Sequence, residues 1–155
     1  MAVVIKPPNP IDIPAGKQSV FLAGSIDLGV ARDWQAEFES ELSDCDVVIL
    51  NPRREEWDDS WPQTPEFEPF REQVNWELQG QEMATVIPMF FAPGTKSPVT
   101  MLELGLFAQT GKVIACAPDG FWRKGNVDIV CQRYGVESAS TFDELIAQTR
   151  NRLAK

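Results

Sequence analysis

A carboxylate set in an apolar run is the residue of this chain best placed to do chemistry. Glu103 lies in Ser97-Pro98-Val99-Thr100-Met101-Leu102-Glu103-Leu104-Gly105-Leu106-Phe107. Helical spacing puts it three or four residues from Val99, Leu106 and Phe107, with Leu102 directly beside it, apolar groups expected to enter a core. A carboxylate on such a face is costly unless it is paired or used. Two readings compete. In one, Thr100 is the true helix cap and Thr100-x-x-Glu103 is an ordinary capping box; in the other, Glu103 is functional.

The rest of the composition narrows the chemistry. The chain has no histidine, which removes Ser-His-Asp and Cys-His nucleophile systems and imidazole metal sites and leaves carboxylates as acid, base or nucleophile. Cys45, Cys116 and Cys131 are widely spaced with no C-x-x-C pair, so neither a disulfide framework nor a zinc site is expected. A formal net charge of −9, from 14 basic and 23 acidic side chains, argues against a nucleic-acid polymer or an anionic membrane as partner and favours a small-molecule substrate. No apolar run approaches a membrane span, and 1–6 followed by prolines lacks the layout of a secretion signal, so a cytoplasmic protein is expected.

The elements that must position Glu103 can be read from the apolar pattern. At 155 residues and 43% hydrophobic, one domain is expected. Residues 1–16, with Pro7, Pro8, Pro10 and Pro14, form an extended arm without visible chemistry, and 17–155 form the domain. Strands are expected at 19–24, 46–50, 85–91, 113–117 and 136–139, and helices at 31–43, 70–83, 98–110, 126–133 and 141–153. Pro98 suits the first helical position behind a Ser97 cap, and Gly111 suits a left-handed C-terminal position. Pro88 inside a strand hints at an edge or a bulge.

Alternation of this kind implies a three-layer α/β sandwich, flavodoxin-like or Rossmann-like, with a five-stranded, mainly parallel sheet in the order 2-1-3-4-5. Its site lies beyond the C-terminal strand ends at the switch point. Gly24-Ser25-Ile26, Asn51-Pro52-Arg53, the loop to Ser97 and the start of the Glu103 helix are delivered there. The long segment after Asn51 supplies two arginines and the tryptophans Trp57 and Trp61, and is either a binding loop or a solvated acidic loop packed by its tryptophans. A dinucleotide-binding oxidoreductase is disfavoured, because the turn Ala23-Gly24-Ser25-Ile26-Asp27-Leu28-Gly29 lacks G-x-G-x-x-G.

With Phe-Leu-Ala-Gly-Ser-Ile at 21–26, Asn-Pro-Arg-Arg at 51–54 and Ser-Pro-x-Thr-x-x-Glu-Leu-Gly at 97–105, the chain resembles the nucleoside 2-deoxyribosyltransferase-like family, related to the deoxynucleoside 5′-monophosphate N-glycosidases. The resemblance implies a flavodoxin-like fold and cleavage or transfer at the N-glycosidic bond of (deoxy)nucleosides, with no metal or redox cofactor. It places the nucleophile on Glu103, a second acid on Glu77, the first-strand aromatic on Phe21, and an asparagine lent by a neighbouring subunit on Asn126. Ser97 stands where transferases acting on free nucleosides usually carry aspartate, whereas the monophosphate glycosidases carry serine there and Gly-Ser-Ile after strand 1. Glu103 would attack the anomeric carbon and form a glycosyl-enzyme that a base or water resolves. Phe21, Trp57 or Trp61 would stack on the base and Asn51 and Arg53 would bond its edge. Arg53 paired with a nearby acid, Glu77 as a plain surface carboxylate and Asn126 as a helix cap are the structural alternatives. The segment 120–128, with Phe121, Trp122, Asn126 and Asp128, is expected to reach toward a partner's pocket in a homo-oligomer, most simply a dimer.

Overall fold

The computed structural model describes residues 1–26 and 32–155. Its strands are β1 (Val3–Ile5), β2 (Gln18–Phe21), β3 (Ala23–Gly24), β4 (Val47–Leu50), β5 (Ile87–Phe90), β6 (Val113–Cys116) and β7 (Glu137–Ala139). Its helices are α1 (Trp34–Glu41), α2 (Glu68–Met83), α3 (Pro98–Phe107), α4 (Lys124–Tyr134) and α5 (Phe142–Leu153). Every ladder is parallel. The α/β class with helices on both sides is as expected, but the single five-stranded sheet is not. There are two sheets, a three-stranded one in the order β1-β4-β2 and a four-stranded one in the order β3-β5-β6-β7.

Pro88 accounts for the seam between them. The expected strand 19–24 is divided into β2 and β3 at Leu22, whose N–H continues the β2–β4 ladder by bonding Leu50 O. The pairings Val20↔Val86 and Ala23↔Met89 put Pro88 opposite Leu22. Ile87 and Phe91 donate to Lys112 O and Cys116 O on the β6 side, so by alternation residue 88 turns its nitrogen toward the first strand. Proline has no hydrogen to give there. The edge or bulge expected for Pro88 is thus corrected: it lies in β5, between β3 and β6, and its missing bond falls on the seam. The 1–16 segment contributes β1, paired with β4 through Val3↔Val48, and Trp76 Nε1 ties it down by donating to Asn9 O at 2.8 Å.

Strand alternation sends Val20 and Leu22 to one core and Phe21 and Ala23 to the other. On the first side α1 and α5 bring Trp34, Phe38, Leu42 and Leu145 against Val20, Leu22, Ile49 and Ile114. Trp34, Phe38, Phe90 and Phe142 meet there edge-on, with centroids 5.1–6.4 Å apart. On the second side α2, α3 and α4 supply Trp76, Leu104, Phe107, Val127 and Cys131. Helix α1 begins at Trp34, with the Asp33 side chain accepting from Ala36 N; the earlier start expected near Ala31, and the turn residues Asp27, Leu28 and Gly29, lie outside the described residues.

Helix α3 differs most from its reading. It buries Thr100, Glu103, Leu104 and Phe107, a clean i, i+3, i+4, i+7 stripe, while Val99, Leu102 and Leu106 are 59%, 64% and 55% exposed. The helix is apolar on two stripes and only one can face the sheet. It ends through a 3-10 turn, Ala108–Thr110, into Gly111 at φ 77°, the left-handed residue the sequence suggested.

Candidate active site

The C-terminal ends of β2 and β3 open on a cavity of about 430 Å³, lined also by α2, α3 and the segment 52–63 that follows β4. Gly24 lets the backbone close its rim: a Cβ there would stand 2.4 Å from Phe90 O and 2.6 Å from the Trp34 ring. Gly80 does the same for α2, since a Cβ at 80 would come within 2.7 Å of the Phe21 ring. Helix α2 therefore lies directly on Phe21, which lines the cavity.

The carboxylates sit on adjoining helices. Glu103, in the second turn of α3, is 7% exposed and lines the cavity; Pro98 is the first helical residue, so Thr100 lies inside the helix and the capping box does not form. Glu77, on α2, lines the same cavity. Gln81, one turn further along α2, donates its Nε2 to Glu103 Oε2 and, at 3.2 Å, to Glu77 O. Burial pushes the Glu77 carboxyl up to about 8, the nearby charge of Glu103 adding to the rise and the Gln73 amide opposing it. Burial also raises Glu103, to about 7, with the Gln81 hydrogen bond opposing. Burial pushes the Cys116 thiol up to about 12 and raises Cys131 as well, so neither is a ready thiolate.

At the start of α3, Ser97 has φ 47°, the one non-glycine residue at positive φ among the described residues. It holds the expected N-cap position ahead of Pro98, but without a capping side-chain bond. Its hydroxyl instead joins Ser25 Oγ and, at 2.8 Å, Thr95 Oγ1, while Ser25 and Thr95 meet at 2.9 Å and Ser25 Oγ accepts from Ala92 N at 3.1 Å. Three buried hydroxyls thus close the end of the cavity beside the α3 N-terminus. Backbone strain of this kind gathers at functional sites.

The opposite wall is aromatic. Trp57 and Phe70 line the cavity, and Trp57 packs on Trp61 with centroids 5.1 Å apart and on Phe70 at 6.3 Å. Arg54 lines it too, held by Glu72 at 3.1 Å and lying 5.3 Å from the Trp61 ring centre.

Eight expected site residues therefore share one cavity: Glu103, Glu77, Phe21, Gly24, Ser25, Ile26, Trp57 and Ser97. Four do not line it. Asn51 bonds Glu39 and the N–H of Arg53, and Arg53 turns to Gln35 at 3.1 Å and Asp33 at 3.3 Å, so both brace α1. Asn126 is exposed on α4, and Asp128 pairs with Lys124 at 3.1 Å. Sequence reasoning passed over Arg54, Gln73 and Gln81. The glutamines were within reach, since 73, 77 and 81 recur every four residues and form one helical stripe.

A profile of the family described as "Nucleoside 2-deoxyribosyltransferase like" matches residues 17–121. The chain belongs to that family. The match spans every residue that lines the cavity, whereas Asn126 and Asp128 lie beyond it. Among solved structures, this nucleoside 2-deoxyribosyltransferase-like chain is similar to a conserved protein from Enterococcus faecalis V583, at a TM-score of 0.63 and 12% identity, over 88% of this chain and 99% of that one. That likeness concerns the fold alone. No curated protein matched the chain. Among the described residues, no helix of this family member is long and apolar enough to cross a membrane.

Proposed function

We propose that the protein cleaves or transfers the N-glycosidic bond of (deoxy)nucleosides through Glu103 and a covalent glycosyl-enzyme. The observation that carries this reading is that Glu103 and Glu77, from adjoining helices, line one cavity with the aromatic rings of Phe21, Trp57 and Phe70. Burial raises both carboxyls and the charge of Glu103 raises Glu77 further, which favours a protonated Glu77 beside an ionised Glu103, the two states a general acid and a nucleophile need. A Glu103 oxygen forms a bond to the anomeric carbon; the bond from that carbon to the base nitrogen breaks, and its electron pair takes the Glu77 proton as the base leaves. A second base nitrogen, or water, then displaces the Glu103 carboxylate, returning a proton to Glu77. Phe21, Trp57 and Phe70 supply faces for a base, and Ser25 and Ser97 the polar end for the sugar. None of these steps calls for a metal or redox cofactor.

Incubation with a panel of nucleosides and 5′-monophosphates, with and without a second free base, followed by chromatography, tests this and separates transferase from hydrolase. Glu103→Ala should abolish turnover; a protein that binds nucleotides but releases no base under any condition is a sensor rather than an enzyme.

A second reading, hydrolysis of nucleoside 5′-monophosphates, is favoured by the hydroxyls of Ser25, Thr95 and Ser97 at the N-terminus of α3, where backbone N–H groups favour an anion. Ser97→Asp should then cost monophosphate turnover far more than nucleoside turnover through like-charge repulsion. Equal effects on both substrates count against it. Assembly as a homo-oligomer, with Asn126 and Asp128 completing a partner's site, is part of the proposal and is supported by their position outside this chain's own cavity and by the exposed Val99, Leu102 and Leu106 of α3.

A further inference from the structure

Gln81 is fully buried, at 0% exposure, yet only one end of its amide is satisfied. Nε2 serves Glu103 Oε2 and Glu77 O, while Oε1 has no partner among the described residues. The orientation is fixed by chemistry, because both facing atoms are acceptors and only the NH2 end can address them. A residue selected for packing would not leave a carbonyl oxygen unpaired in a core, and a methionine would fill the same volume without that penalty. The arrangement makes sense through what Nε2 touches.

We infer that Gln81 is a positioning residue for the proposed reaction: it pins one oxygen of the Glu103 carboxylate, leaving the other to attack, and favours the ionised form. This rests on the reading of Glu103 as nucleophile. Once Glu103 Oε1 has bonded to the anomeric carbon, Oε2 becomes the ester carbonyl, and the same Nε2–H polarises it for expulsion in the second step. Gln81 thus acts on both halves of the reaction without touching substrate. Its backbone is held in turn, since Lys112 Nζ reaches Gln81 O at 3.4 Å and Glu82 O at 2.6 Å at the end of α2. The other charged groups around Glu103 are Glu77 on α2 and, across the cavity, Asp59 and Arg54 from the segment 52–63, with Arg54 engaged by Glu72. No cation is therefore aimed at Glu103 from those elements, and the neutral amide is its stabilising contact.

The test compares wild type with Gln81→Met. Carbon-13 NMR of the Glu103 side chain should show its titration midpoint rising by about one unit in the variant, and the acid limb of kcat/KM should rise by the same amount while the alkaline limb stays. At pH 7 kcat/KM should fall about fivefold, with an unfolding temperature equal to or above wild type. A midpoint and acid limb that do not move, whatever happens to stability, overturn the inference. A second measurement needs no variant: the Gln81 side-chain amide nitrogen of the wild-type protein should follow the titration of Glu103 with the same midpoint, and an amide that ignores it also overturns the inference. Both NMR readouts are taken without substrate, so they judge Gln81 even where the reading of the reaction fails.

Discussion

The two sides of the central strands are built to different standards. Under α1 and α5 the core is apolar, its aromatic rings meet edge-on, and Trp34 Nε1, the polar atom among those rings, is satisfied by Ser25 O at 2.9 Å. Under α2 and α3 the same strands meet Glu103, Glu77, Gln73 and Gln81, and both glutamines carry a buried Oε1 without a partner among the described residues. Unpaired amide atoms do not by themselves separate the sides, since Gln35 Nε2 on α1 and Gln148 Oε1 on α5 also lack partners among the described residues. The difference is the pair of raised carboxyls under α2 and α3, which a stability-driven core would replace and which is how functional sites commonly depart from local rules.

Replacing Glu103 separates the sides most sharply. Glu103→Gln keeps the shape and the Gln81 contact but removes the proposed nucleophile, so turnover should fall at least about a thousandfold in a steady-state assay while the fold is unharmed. A variant keeping a tenth of the rate would have lost only ~1.4 kcal/mol of barrier stabilisation, too little for a nucleophile. The opposite experiment is Phe38→Ala in the closed core. It should cost about 3–5 kcal/mol in chemical denaturation and leave the kcat of the folded fraction near wild type, and a matching loss of kcat would erase the distinction.

The pH dependence of stability should report the same contrast. A carboxyl whose folded value lies above its ordinary 4.5 binds more protons folded than unfolded, so the wild type should be most stable below about 4.5 with respect to these groups. That contribution is lost as pH rises toward about 7 for Glu103 and about 8 for Glu77. At about 1.36 kcal/mol per unit, Glu103 alone forfeits roughly 3 kcal/mol. Glu103→Gln should therefore raise the melting temperature at pH 8 and scarcely alter it at pH 4, and a gain independent of pH would show that the carboxyl is not the cause.

Smaller effects mark the boundaries of the two sides. Gly80→Ala drives a methyl group into the Phe21 ring and should destabilise by about 1–3 kcal/mol, with a raised KM because Phe21 lines the cavity. Leu102→Ser, on the exposed stripe of α3, should change the stability of an isolated chain by less than about 0.5 kcal/mol. Light scattering on that variant tests the proposed oligomer, since a loss of mass relative to wild type is expected and an unchanged monomer in both proteins removes the idea.

Strand positions, helix order and the convergence of Gly24, Ser25, Ser97 and Glu103 were legible because period-2 and period-3.6 patterns and glycine turns are local signals. The division into two sheets was not, because it depends on Pro88 meeting Leu22 across strands far apart in sequence. Nor could spacing decide which apolar stripe of α3 faces inward: 99, 102 and 106 and 100, 103, 104 and 107 are both helical faces, and the sheet selects one. Arg53 and Arg54 are adjacent and chemically alike, so only the path of the chain after Pro52 shows that Arg54 turns to the cavity and Arg53 to α1.

The absence of histidine gives the raised carboxyls a practical use. Most proteins take up and release protons near neutrality through imidazoles, which bury the signal of an active site in a crowd. In this chain an acid-base titration of wild type against the Glu77→Gln, Glu103→Gln double variant cancels every group the two proteins share. The difference expected near pH 7 to 8 counts the folded Glu77–Glu103 pairs per chain, measured with a pH electrode and no substrate, label or inhibitor.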